Sequence, residues 1–265
     1  MLHISIVTYN RVGVLRRTLA ALERHTFEPY QLLISDNGSS DGTSAFLIEY
    51  ARAFPRAVDV WLLPKNVGIA RARNAHWGRC VGHDTVRLDD KIEVQTPYWS
   101  QIMRRQATQH HALIAFTDPE TEGLWEIANQ QEVVGYPTWK CGAGMFIPDE
   151  LTVKLGAWDE MNWPDGSPLL YGYEDLLWMD RAEALGWQFL YSLSTHARFL
   201  ARASAESRRV AQEFEPFYKA RVEEYKAGER DLFIDPAMTE GAQYTDLGQH
   251  ARHAQVGTAM ELPYP

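Results

Sequence analysis

Over the first hundred residues, short apolar runs alternate with segments whose apolar positions recur every three or four residues. "LHISIVT" (2–8) is a run closed by polar Tyr9 and Asn10, and it predicts a buried strand. In "RVGVLRRTLAALERH" (11–25), Val14, Leu15, Leu19 and Leu22 share one helical face, with Asn10 placed to cap it. The same rule predicts strands at 30–35, 58–63 and 84–88 and helices at 44–54 and 69–79. A further helix is expected at 96–106, with Thr96 as cap and Pro97 in its first turn.

Over residues 136–200 the pattern changes. "WKCGAGMFIP" (139–148) is glycine-rich and then strand-like. "GSPLLYGYEDLLWMDRAEALGW" (166–187) is a Gly/Pro/Tyr loop that becomes a helix ending before Gly186. A strand follows at 188–199, and from about residue 204 an amphipathic helix that Pro216 is expected to interrupt or kink. The last 30 or so residues are polar and weakly patterned.

Strands and helices alternating at this spacing imply βαβ units and a largely parallel sheet. Polar residues collect where the strands end, at Tyr9-Asn10, Asp36-Asn37 and Asp89-Asp90. Ligands of open α/β sheets bind in the crevice at those ends. The stretch "DNGSSDGT" (36–43) therefore belongs to a ligand site, with Gly38 and Gly42 permitting a tight turn that Asn37, Ser39 and Asp41 brace. Ser39 and Ser40 read as turn chemistry alone. Gly13 stands alone after the first strand, and no G-x-x-x-x-G-K-[ST] occurs, so the dinucleotide and P-loop phosphate cradles are both missing.

Composition narrows the classes further. A formal net charge of −9 argues against a broad nucleic-acid-binding surface, though not against a local basic groove. Nine Trp and 12 Tyr could stack on saccharides, but on their own they read as packing. Cys80 and Cys141 fit free thiols better than a disulfide framework. No window approaches a membrane span, and residues 2–9 leave no room for a leader, so a cytoplasmic protein is expected.

"ISIVTYNR", "ISDNGSSDGT", "NVGIARARNAH", "RLDDKI", "YEDLLWMDRAEALGW" and "STHARF" occur in that order. Together they resemble a family 2 glycosyltransferase of the GT-A fold over roughly residues 3–200. The resemblance implies an α/β fold with a mostly parallel twisted sheet of two abutting Rossmann-like halves. Residues 1–100 would bind nucleotide, 101–203 would bind acceptor, and 204–265 would form a helical extension and tail. It implies a nucleotide-diphospho-sugar donor, with UDP favoured, and an inverting single displacement onto an acceptor hydroxyl. The acceptor class stays open among glycan, small molecule and protein, with a modified nucleic-acid base less favoured.

Carried over position by position, Thr8, Tyr9, Arg11 and Asp36 hold the nucleoside, and Asn66, Gly68 and Arg73 face the diphosphate. Of the two arginines in that segment, Arg73 matches the family's and Arg71 is left on a solvated face. Gly142, with Trp139, Cys141 and Gly144, lies under the donor sugar. Asp175 matches the general base and Glu174 a partner that orients acceptor or donor, and Trp163 and Tyr173 are candidates for acceptor stacking. Asp89-Asp90-Lys91 stands where the family carries Asp-x-Asp, with Asp89 on the ribose and Asp90 on Mn2+ or Mg2+. His196 is a candidate further metal or phosphate ligand, or a structural histidine. Lys91 breaks the pattern. Either Asp90 keeps the metal, which is the expectation, or Lys91 supplies the positive charge directly. The competing functions are a nucleotidyltransferase-like enzyme, which would want a glycine-rich basic loop after the first strand, and a non-catalytic nucleotide- or sugar-binding module.

Overall fold

In the computed structural model, which describes residues 1–54, 57–117, 125–127, 134–137, 143–201 and 205–238, strands and helices alternate from the start. They are β1 (Leu2–Thr8), α1 (Val12–His25), β2 (Tyr30–Asp36), α2 (Thr43–Ala53), β3 (Val58–Leu62), α3 (Ile69–Trp77) and β4 (Thr85–Asp89). Then come β5 (Ile92–Val94), α4 (Trp99–His110), β6 (Ala112–Thr117), β7 (Trp125–Ile127), β8 (Val134–Pro137) and β9 (Gly144–Ile147). The chain continues through α5 (Asp149–Leu155), α6 (Glu174–Ala184), β10 (Gln188–Phe199) and α7 (Ala205–Lys226).

The sheet runs in the order β3-β2-β1-β4-β9-β6-β10-β8-β7, with β5 pairing β10. β1, β2, β3 and β4 are parallel neighbours, and β6 is parallel to β10. β9 runs antiparallel between β4 and β6, so the sheet is mixed beyond β4 rather than mostly parallel throughout. From β1 the chain moves one way to β2 and β3, then returns to the other side of β1 as β4. The crevice between the C-terminal ends of β1 and β4 is therefore the topological switch point, the ligand position of this architecture.

The central strands are buried on both faces, which is why they read as nearly continuous apolar runs. Ile4, Ile6, Leu32 and Ile34 pack with Leu15, Leu19, Leu47, Trp99 and Met103 on one face. On the other face, Leu33, Met145 and Ile147 join Trp77, Trp158 and Trp178, whose rings lie 5.0 to 6.2 Å apart. Trp77, Trp99, Trp158 and Trp178 are fully buried, so packing accounts for these four tryptophans.

Three local expectations are corrected. Asn10 does not cap α1: it sits at φ 51°, and the Asp41 carboxylate accepts from Val12 N at 3.0 Å instead. Thr96 and Pro97 precede α4 rather than open it. Tyr98, in the left-handed region at φ 58°, turns the chain into the helix, while Thr96 Oγ1 accepts from His196 N at 2.8 Å. α7 runs through Pro216 without a break. It lies on α6, where Tyr218 stacks on Tyr173 at 4.6 Å. Its Arg221 and Tyr225 both donate to buried Asp159, at 2.6 and 2.7 Å. No helix among the described residues is long and apolar enough to cross a membrane.

Candidate active site

Register brings three strand ends level. Thr8 pairs with Asp36 across β1 and β2, and Val7 pairs with Asp89 across β1 and β4. The loops beyond them are stitched together. Asn10 N donates to Ser39 Oγ at 2.8 Å, and Ser40 N donates to Asn10 Oδ1 at 2.7 Å. Buried Asp36 accepts from Ser39 N at 3.1 Å and from the Ser44 hydroxyl. Asn37 Nδ2 donates to Asn66 Oδ1 at 3.0 Å, and Val67 N donates to Asn37 Oδ1 at 2.9 Å. Gly38, at φ 79°, passes so close to this second loop that a Cβ would stand 2.4 Å from the Lys65 carbonyl carbon. Gly68, at φ 91°, would put a Cβ 2.5 Å from the Leu169 carbonyl oxygen, so neither turn tolerates a side chain. The serines thus tie loops together, and Asp36 has both carboxylate oxygens engaged, one by its own loop and one by the first turn of α2.

At the switch point, opposite charges alternate. Arg87, in the middle of β4 and nearly fully buried, places Nη1 2.9 Å from Asp89 Oδ1 and Nη2 3.0 Å from Glu174 Oε1. The same Nη2 is 4.0 Å from Asp175 Oδ2, and Lys91 Nζ is 3.3 Å from Asp89 Oδ2. Asp90 faces the other way: it accepts from Thr8 Oγ1 at 2.9 Å and from Arg11 Nη1 at 3.1 Å. Tyr9, next in the chain after Thr8, is exposed.

The carboxylates arrive at the first turn of α6 by a strained route. Tyr173 stands at φ 66°, in the left-handed region that costs a side-chain-bearing residue about 1–3 kcal/mol. Its ring is held against Tyr218, and this turn sets Glu174 and Asp175 beside Arg87. Trp163 meets Phe214 edge to face at 5.0 Å. Both aromatics named for acceptor stacking are therefore also packed against α7.

Electrostatics follow from this burial. Burial would push Asp89 up, but Arg87, Lys91 and Arg73 together outweigh it and hold it below the usual carboxylate range. Asp90 is raised, because burial and the neighbouring Asp89 exceed the help from Arg11. Glu174 is pushed to about 7 by burial and then by Asp175, against the pull of Arg87 and Arg73. Between its ordinary 4.5 and about 7, folded Glu174 keeps a proton that the unfolded chain has lost, so its contribution to stability falls as pH rises through that window. Glu174→Gln is expected to flatten this slope in denaturation midpoints measured from pH 4.5 to 7.5. An unchanged slope would assign it to another group.

Arg73, matched to the family's diphosphate-facing arginine, lies wholly buried. It donates to Ser5 Oγ at 3.4 Å, and its guanidinium sits 5.0 Å above the Trp158 ring. Burial and Arg87 lower it to about 10. Arg71 is not solvated: it donates to Glu160 at 3.1 Å and to Asn162 at 3.0 Å. Asn74 clamps the backbone of Trp158 through both ends of its amide, at 3.0 Å each. Gly142, Trp139 and Cys141 lie outside the described residues. Gly144 stands in β9, where a Cβ would meet the Phe116 ring at 2.7 Å.

Asp90, expected to hold the metal, and His196, the candidate further ligand, do not fit one together. Lys91 O accepts from Leu200 N, whereas His196 O accepts from Gln95 N at the opposite end of β5. Four residues of extended chain separate those levels by about 13 Å. His196 Nδ1 pairs instead with Thr117 Oγ1 at 2.9 Å. Both oxygens of Asp90 and both of Asp89 are held by other side chains. The Lys91 ammonium, 3.3 Å from Asp89 Oδ2, already occupies one of the two carboxylates that an ion would use. Among the described residues no group of three or more His, Cys, Asp or Glu side chains is placed to hold a metal.

The central residue that sequence reasoning missed is Arg87. Its signal was a charged position flanked by Val86 and Leu88 inside "TVRLD", before the strand's acidic end.

The family model described as glycosyl transferase family 2 matches residues 4–148, more than half of the chain. A sequence comparison with curated proteins gives no significant match. Among solved structures, the chain resembles GalNAc-T7 solved with UDP, GalNAc and Mn2+, with TM-score 0.63 and 14% identity over 94% of this chain and 55% of that one. It thus spans little more than half the length of that relative. It also resembles the mannosyltransferase PcManGT of Pyrobaculum calidifontis, solved with GDP-Man and Mn2+, with TM-score 0.61 and 12% identity over 94% of this chain and 74% of that one. TarS of S. aureus, residues 1–349 with UDP-GlcNAc, gives TM-score 0.58 and 14% identity over 85% of this chain and 71% of that one. At these identities the likeness shows the fold, which is GT-A.

Proposed function

Because the chain belongs to glycosyl transferase family 2, we propose that it moves a sugar from a nucleoside-diphosphate donor, UDP-linked by preference, to an acceptor hydroxyl with inversion at C1. One observation carries the reading: Arg87 links the end of β4 to the start of α6, so the Lys91 ammonium on Asp89 and the partly exposed carboxylate of Asp175 belong to one cluster, a cation for a leaving diphosphate and a base for an incoming hydroxyl. The acceptor oxygen forms its bond to C1 as the bond from C1 to the β-phosphate oxygen breaks. The proton passes to Asp175, and the electron pair leaves with the nucleoside diphosphate.

Asp175 suits the base better than Glu174, whose Oε1 is engaged by Arg87 and whose side chain is only 5% exposed against 22% for Asp175. Thr8, Tyr9, Arg11 and the loop braced by Asp36 receive the nucleoside, with Asn66 and Gly68 shaping its far wall. Residues 1–100 would be the donor half and 101–203 the acceptor half, with 204–265 an extension whose α7 backs α6. The acceptor would be a glycan, a small molecule or a protein. No step runs through a metal, which the residues at the end of β4 do not fit.

A thermal-shift screen against UDP, GDP and their sugars tests this. A ligand that binds only the native state stabilises it by about 2.7 kcal/mol at a hundred times its Kd, and the melting temperature rises accordingly. UDP or a UDP-sugar is expected to give the largest shift, and Asp36→Ala to remove most of it. Flat melts with every nucleotide at millimolar concentration would sink the proposal.

A further inference from the structure

Resting on the glycosyl-transfer reading, we infer that Lys91, set by the Arg87–Asp89–Lys91 chain, takes the place of a divalent cation in this protein and meets the charge of the departing diphosphate. When the C1–O bond breaks, its electron pair stays on the β-phosphate oxygen, and the ammonium stabilises that charge without giving up its proton.

Three observations carry the inference. First, the position that would complete a triple acid is an ammonium, 3.3 Å from Asp89, so the motif's own last residue brings positive charge. Second, that residue is pre-organised. Leu200 N donates to Lys91 O at 2.8 Å, Thr18 Oγ1 donates to Asp90 O at 2.8 Å, and both flanking backbone groups are thus anchored to different elements. Asp89, fixed on its far side by Arg87, holds the ammonium in place. Third, the cluster carries no excess of negative charge. The carboxylates Asp89, Asp90, Glu174 and Asp175 are at least matched by the cations Arg11, Arg73, Arg87 and Lys91. With aspartate at position 91 the balance would swing to excess negative charge, and a diphosphate could enter only with a metal.

The test is calorimetric binding of UDP, with GDP in parallel and uridine as reference, to protein stripped with EDTA and to protein in Mn2+. Affinity for the diphosphate is expected to change by less than about threefold between the two conditions. Lys91→Ala should weaken UDP by about tenfold or more while leaving uridine unchanged. Lys91→Arg should retain UDP within a few-fold, which separates lost charge from a misfolded loop. Lys91→Asp should bind UDP only when Mn2+ is present. UDP binding that needs Mn2+ in the wild type and survives in Lys91→Ala would overturn the inference and leave the glycosyl-transfer reading standing. Absence of UDP and GDP binding in both conditions would overturn both.

Discussion

Asp175→Asn is expected to lower turnover by about two to four decades while donor affinity stays nearly intact, the share of the barrier that a general base commonly removes. The substitution keeps shape. Asp175 Oδ1 accepts from Leu176 N at 2.9 Å, a bond that an asparagine oxygen can also accept. The other oxygen, 4.0 Å from Arg87, is the one left to receive a proton. The check is a pair of measurements on one preparation, single-turnover transfer and UDP-sugar binding. A loss of transfer matched by an equal loss of binding would show that the carboxylate holds the donor. Unaltered transfer would move the base to Glu174, whose pairing with Arg87 would then have to open during the reaction.

The second large effect concerns stability. Arg87→Ala removes the buried partner that Asp89 and Glu174 share, and breaking a buried ion pair in this way costs about 3–5 kcal/mol. Urea denaturation of wild type and variant reads the loss directly. A pH series adds a signature that cavity formation alone would not produce. Folded Asp89 lies below its ordinary 3.8, so its contribution is present above that value and is lost as pH falls towards the depressed one. Without Arg87 much of that acid-side loss should vanish. A variant as stable as wild type, with the same acid limb, would mean that Lys91 and Arg73 suffice to balance the cluster.

How far the sequence could be read depended on the kind of information each residue carries. β1 through β4 are legible because strands buried on both faces repeat one signal between helices of clear period. Asp89, Lys91 and Asp175 are legible because each stands at the end of a strand or the start of a helix, inside a distinctive string. Arg87 is not, since nothing in "TVRLD" says that an arginine two residues before a motif will reach a helix that begins 87 positions later. His196 is misleading for the converse reason. Chain order puts it after the chemistry, but β10 shifts register between Ser192 and His196 and carries it to Thr117 and Thr96. Caps fail at Asn10 and Thr96 because long-range partners, Asp41 and His196, outcompete the local bond each side chain could have made.

The stitching between the loop at Asn10 and the loop at Ser39 to Asp41 bears on the thermodynamics of recognition. Ordering a backbone residue costs about 1–2 kcal/mol, and here the cost is met during folding, because each loop serves as the other's hydrogen-bond partner. A nucleoside that docks on the end of β1 therefore meets a template already rigid, and little of its binding energy is consumed in arranging that surface. Loosening the template through Ser39→Ala or Asp41→Ala, neither of which needs to touch the ligand, would show itself as a less favourable binding entropy at nearly constant enthalpy.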